Sequence, residues 1–294
     1  MSIAGRKDGQ REDANVHHTA ANMPARPSEP KRRLGPFRSL GIGMNRGQLI
    51  GIGSVLVSIV AAALLWQVLV TIVDQPLIAP TLGDIWNAFI RTSTDGSLLS
   101  NTWASLYRVF VGFAIAAVLA VPLGFLLGWY PAVRRFAEPY VQFMRVIPPI
   151  ALIPLLIIYL GIGESARIFV IALAAFLAII VAVYQGVWEV DKILVRAARV
   201  LGAKEHNIFA EVVVPATFPY ILVGMRQGLA NAWGSLVAAE LIASSRGLGY
   251  MIVSSQENFR VADILVAILS IGVIGVLMDR GLLLLQAKLT PWKE

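Results

Sequence analysis

The sequence predicts an all-α, polytopic membrane fold with six transmembrane helices, and three observations carry that expectation. Hydrophobic residues make up 57% of the chain and its mean hydropathy is +0.70. Charged residues are only 15%, where a soluble domain carries about 25%, and most lie outside a set of long apolar runs. Those runs approach the roughly 20 residues a helix needs to cross a bilayer. They fall at about 48–73, 107–128, 146–163, 168–187, 218–243 and 263–285.

Residues 1–47 are a different material, rich in Pro, Ser, Asn and Gly, with nine Lys/Arg and four Asp/Glu. They have too little apolar surface to offset the entropy of ordering, so a disordered, basic, cytoplasmic tail is expected. No apolar core of a cleaved signal peptide follows the early basic residues. His17, His18 and the group Lys31, Arg32 and Arg33 are read as solvated parts of that tail rather than as metal or lipid ligands.

The second run opens on Arg108. The third is interrupted by Pro148, Pro149 and Pro154, so a kink, or an interfacial helix beginning around Tyr140, is expected there. The fourth is uninterrupted. The fifth carries Gly224 and Gly228 as GxxxG, extended by Ala232, a small-residue line that suits either a dimer seam or an intrachain one. Glu240, near the outer end of the same run, either lines an outward gate or pairs with Arg246. Arg108, Arg226, Asp279 and Arg280 sit toward run ends and are expected to act as interfacial anchors. Between the fifth and sixth runs, Gly247 and Gly249 allow a tight turn before a short helix near Tyr250.

Orientation follows from Lys and Arg, which concentrate in short cytoplasmic segments. With the N-terminus inside, the cytoplasmic segments hold 18 and the outer segments four. Both termini, and the segment 188–217, are then expected in the cytoplasm.

That segment is polar for its surroundings. Asp191 can cap a helix over KILVRAARVL, and Gly202 stands where a left-handed residue would end it. Leu194, Ala197, Ala198 and Leu201 make a narrow apolar stripe at i, i+3, i+4 and i+7. A second amphipathic turn with Ile208, Phe209 and Val212 on one side is expected to stop at Pro215. A helix pair this small has no core of its own. Pattern alone leaves open whether it folds against its own bundle or docks a cytoplasmic partner.

The spacing resembles a known family. Ala197-Ala198, three residues, Gly202, nine residues and Val212-x-Val214-Pro215 is similar to the EAA loop of ABC importer permeases, with Arg196 where that loop has Glu. SLYRVFVGFAIAAVLAVPLGFLLG, RVIPPIALIPLLIIYLGIGE, LVAAELIASSRGLGYMI and the closing LTPW resemble the taurine and aliphatic sulfonate permeases, the taurine branch most of all. Nitrate, cyanate and bicarbonate permeases share much of this framework. The resemblance covers residues 48–294 and implies a type I ABC importer permease fold in a bacterial cytoplasmic (inner) membrane.

It implies a homodimer forming the path, two separate ATPase subunits that bind ATP and Mg, and a periplasmic or lipoprotein substrate-binding protein. Arg196, Ala197, Ala198, Arg199, Leu201, Gly202, Ile208, Phe209 and Pro215 would make the ATPase coupling surface. Arg246, Gly247, Gly249 and Tyr250 would form the periplasmic gate and binding-protein contact, with Glu240 a candidate for the pathway. No cofactor or metal is expected on this chain.

Other classes fit less well. None of the six lysines follows a glycine, so no phosphate-binding loop of the G-x-x-x-x-G-K-[ST] type is present and ATP hydrolysis belongs to another polypeptide. There is no cysteine and no HExxH, and His17, His18 and His206 lie outside the runs, which leaves an intramembrane hydrolase without bases or zinc ligands. No internal repeat is visible, against a secondary transporter. Positive-inside bias accounts for most of the net charge of +7, so nucleic acid is not an expected partner.

Overall fold

The computed structural model describes residues 46–289, apart from 74, 76 and 77. Residues 1–45 of the basic tail 1–47, and the LTPW ending from 290 onward, lie outside the described residues; 46 and 47 are helical. The helical bundle is the unit beginning at Leu56; residues 46–55 belong to a separate unit and are helical.

Every regular element among the described residues is helical. α1 spans Arg46–Val73 and α2 spans Leu82–Thr94. No apolar run announces α2, which is short and amphipathic, but its start is well specified. Thr81 Oγ1 accepts from the Asp84 amide at 3.2 Å while the Asp84 carboxylate accepts from the Thr81 amide at 2.9 Å, a reciprocal capping box. These Thr81 bonds hold the Asp84 carboxyl below its ordinary range. Trp66 Nε1 donates to the Pro80 carbonyl at 3.1 Å and ties α1 to this turn.

α3 runs Ser97–Trp129, beginning ten residues before the apolar run that announces it. α4 (Pro131–Val146) and α5 (Ile153–Leu160) form a bent pair at 89°, joined through a 3-10 turn at Pro149–Leu152. The bend is dictated locally. Ile147 and Pro148 are extended (ψ 117° and 126°), because a residue that precedes proline is excluded from the helical region. The expected kink is therefore present, and the segment around Tyr140 is helical.

α6 (Glu164–Trp188), α7 (Lys192–Val200), α8 (Glu205–Ile208), α9 (Val214–Ala243), α10 (Leu248–Glu257) and α11 (Val261–Leu289) complete the chain. Among the described residues four helices are long and apolar enough to cross a membrane, and five if α4 and α5 make one span. In α1 the corresponding apolar helix is Val57–Val73, so the expected six is not fully reached among the described residues. Pro215 does not end a helix, contrary to expectation. Residues Phe209–Val213 form a π-turn that leads directly into α9. The wider i→i+5 ladder and the position of Pro215 in the first turn of α9 accommodate the missing N–H.

The core is a three-helix sandwich. α3 and α6 run parallel, α9 antiparallel to both, and Val109, Ala120, Ile171, Ile179, Leu229 and Leu236 are buried between them. Small residues set the spacing. A methyl on Gly224 would sit 2.6 Å from the Ala182 Cβ, and one on Gly228 2.8 Å from Ile179 Cγ1. The GxxxG of α9 is thus an intrachain seam. In lipid, such close approach replaces the hydrophobic effect as the source of helix association. Gly228→Leu is expected to force α6 and α9 apart at a cost of about 1–3 kcal/mol. Thermal unfolding in detergent measures it; an unchanged midpoint would remove this seam from the account.

At the end where α3 and α6 begin, a second cluster joins α2, α3, α10 and α11 through Ala88, Leu98, Leu248, Met251, Val266 and Ala267. Arg91 of α2 pairs there with Asp263 of α11, which also faces Arg260 at 3.2 Å.

Candidate functional site

The two ends of the bundle carry different chemistry. At the end where α3 and α6 begin, Asn101, Ser105 and Arg108 lie at i, i+4 and i+7 on one face of α3. Arg108 is 3% exposed and Glu240, on α9, 1%. A mid-bilayer charge is expensive unless satisfied, and here both groups have several partners. The Arg108 Nη1 donates to Glu240 Oε1 at 2.6 Å and to the Arg246 carbonyl at 2.6 Å. Its Nε and Nη2 donate to Glu164 at 2.6 and 2.7 Å, and Arg167 Nη1 reaches Glu164 at 2.8 Å.

Ser105 Oγ lies 2.8 and 2.9 Å from the two Glu240 oxygens and accepts from the Leu248 amide at 2.9 Å. The Gly249 amide donates to Glu240 Oε2 at 2.8 Å, and the Gly247 amide donates to Asn101 Oδ1 at 2.9 Å. Glu240 therefore caps the N-terminus of α10 with a buried carboxylate, at the positive end of the helix dipole. Both glycines are required. Gly247 has φ 129°, and a Cβ on either residue would collide with the Glu240 side chain.

At the opposite end, α7 is a rigid peg. Asp191 Oδ1 accepts from the Ile193 amide at 2.8 Å and caps its start. Gly202, at φ 83°, closes its end as a Schellman motif: the Gly202 amide donates to the Arg199 carbonyl and the Ala203 amide to the Ala198 carbonyl, both at 3.0 Å. Arg199 donates to Glu205 at 2.7 and 3.1 Å and links the peg to α8. One face of the peg stands open among the described residues: Leu194 is 53% exposed and Leu201 86%.

Ile208 and Phe209 belong to the other side. Ile208 is buried, and Phe209 packs edge-on against Phe125 and Trp129 at 5.5 Å. Phe209 thereby holds the segment after the peg against α3.

Residues 120–291, more than half of the chain, match the family of inner membrane components of binding-protein-dependent transport systems. The chain belongs to this family. A probable ABC transporter permease of Brucella abortus is 47% identical over 84% of this chain and 98% of its own. The taurine transport system permease of Escherichia coli is 39% identical over 67% of this chain and 72% of its own. A nitrate import permease of Synechocystis is 31% identical over 81% and 89%. The inward-facing MetNI methionine ABC transporter superposes with a TM-score of 0.53 at 22% identity, covering 65% of this chain and 98% of that one, and so shares the fold.

In the permease, the coupling and gate residues singled out by sequence fall at these two ends. Arg196, Ala197, Ala198, Arg199, Leu201 and Gly202 lie together on the peg, with Pro215 beyond the π-turn. Arg246 and Tyr250 flank the turn into α10, and Gly247 and Gly249 hold it against Glu240.

Glu240 meets Arg108 rather than the Arg246 side chain, and Arg246 contributes only its carbonyl. Nor is Arg108 an interfacial anchor. Arg226 and Asp279, also expected to be anchors, pair with each other at 2.7 and 3.1 Å across α9 and α11. The sequence signal for the buried cluster is the polar line Asn101, Ser105, Arg108 entering an apolar run.

Proposed function

We propose that this permease is the translocating subunit of an ATP-driven importer for taurine or a related sulfonate, working as a homodimer in a bacterial cytoplasmic membrane. In this reading the peg end faces the cytoplasm, with both termini on that side and residues 1–47 as a basic tail; residues 48–294 form the transmembrane domain. Two ATPase subunits bind ATP and Mg there, and a periplasmic or lipoprotein binding protein delivers substrate at the α10 end, against Arg246 and Tyr250. The exposed apolar face of α7 is the observation that carries it. A capped nine-residue helix with Leu194 and Leu201 uncovered fits a partner's cleft and passes that partner's closure to α6 and α9 as a rigid-body displacement.

For the substrate, the greater likeness to the taurine permease than to the nitrate permease supports a sulfonate. Proteoliposomes holding the permease, its ATPase and its binding protein are expected to accumulate labelled taurine only when ATP is present on the ATPase side. Accumulation without the ATPase would overturn the coupling. Uptake of nitrate but not taurine would overturn the sulfonate assignment alone.

A further inference from the structure

Along one face of α9, Gln227, Asn231 and Ser235 follow at i, i+4 and i+8. They line a cleft of about 670 Å³ between α6 and α9, a size typical of small-molecule sites. Small residues, among them Ala178, Ala182 and Gly234, keep its floor low. Gln185 of α6 and Arg145, at the end of α4, add polar groups to the same walls.

Gln185, Gln227 and Asn231 are exposed although they lie on helices long and apolar enough to span a membrane. Amide groups facing hydrocarbon without partners cost several kcal/mol each, so this face meets water, a solute or a second subunit rather than lipid. Gln227 Nε2 donates to Asn231 Oδ1 at 3.3 Å. That leaves the Asn231 amide donor and the Gln227 carbonyl without partners among the described residues.

The charge in the cleft has one sign. Among the described residues Arg145 is the sole ionisable group lining it, and its hydrogen-bond partner is the neutral Gln142 Oε1 at 3.1 Å. The carboxylate on the same helix, Glu138, is taken by Arg134 at 3.0 Å.

We propose that this cleft is a transit site for one small anion or zwitterion, its acidic group held by Arg145 and the remainder by the amides of Gln227 and Asn231. The guanidinium presents a planar fork of donors that matches sulfonate oxygens. An amide offers both a donor and an acceptor, so the same pair accommodates a second anionic oxygen or an ammonium group. This inference rests on the permease reading above and assigns the residues that hold the solute's fixed negative group. A cation with no acidic group is disfavoured by the uncompensated guanidinium.

The chain contains no cysteine, so a single reporter thiol can be introduced into it, and the complex without that thiol gives the background from the other subunits. In the assembled complex, Asn231→Cys is treated with a methanethiosulfonate carrying a sulfonate and with one carrying a trimethylammonium, and the ratio of the two rates is measured with and without Arg145→Gln. The ratio of anionic to cationic rate is expected to fall about tenfold when Arg145 is neutralised, the effect of one nearby charge in a partly hydrated cleft. Arg145→Lys should preserve most of it, and excess taurine or nitrate should slow the sulfonate reagent in the native background only.

An unchanged ratio would overturn the proposal. So would a ratio that depends on Arg145 only in vesicles containing phosphatidylglycerol and not in pure phosphatidylcholine, since the guanidinium would then be serving lipid headgroups. The readout needs no transport. If native complexes fail to take up taurine while the ratio still shifts, the sulfonate assignment falls and the anion site stands.

Discussion

Arg108→Leu is expected to destabilise the permease by about 3–5 kcal/mol, the range for removing one partner of a buried ion pair. The side chains of Arg108 and Glu240 are 4% and 0% exposed, so the orphaned carboxylate has no water to turn to. Glu164 loses two of its three hydrogen bonds in the same step. Glu240→Gln is expected to be milder but still damaging. Its amide nitrogen would face either Arg108 or the Gly249 amide, donor against donor.

Arg108→Leu combined with Glu240→Leu should cost less than the two single changes summed, because the burden of each is the charge left behind. Thermal unfolding in detergent supplies the cycle. Additive costs, or a single-mutant cost below about 1 kcal/mol, would show that the cluster does not fasten this end. The pair links α3 to α9, and through the Leu248 and Gly249 amides to the start of α10, so transport is expected to fail wherever the fastening fails.

Much of this architecture is legible in the residues taken in order. The apolar runs match helices because burial in lipid requires an unbroken backbone ladder, and the paired prolines at 148 and 149 match a bend because proline restricts the residue before it. Asp191 and Gly202 bound the peg because capping is decided within one turn.

What escapes is tertiary. Arg108 and Glu240 are 132 residues apart, and nothing local distinguishes a guanidinium that snorkels from one that meets a carboxylate across three helices. The pairing of Arg226 with Asp279 is hidden for the same reason. Pro215 misleads because the π-turn before it has no one-dimensional signature. α2 is hidden because its short amphipathic pattern gives no long apolar run.

Ala198→Glu is expected to abolish coupled uptake while leaving the bundle intact. Ala198 lies on the peg beside the exposed Ala197, and on the proposed reading this small-residue face is where the ATPase seats. A carboxylate buried there without a partner costs at least about 2 kcal/mol, which is about 30-fold in affinity. Gly202→Asp should act in the same direction by a different route. No atom lies within 4 Å of the position a Cβ would take, so the side chain fits, and Asp tolerates the left-handed backbone of φ 83° better than most residues. The peg therefore keeps its shape and changes its surface.

Both variants are expected to insert and unfold like the native permease, to lose ATPase on copurification, and to show no ATP-driven uptake. Ile208→Ala tests a buried member of the same segment. It opens a cavity at a buried position at a cost of about 2–5 kcal/mol, so its defect should appear in stability first. Normal uptake and normal ATPase retention in Ala198→Glu and Gly202→Asp together would leave the exposed face of α7 without its proposed partner.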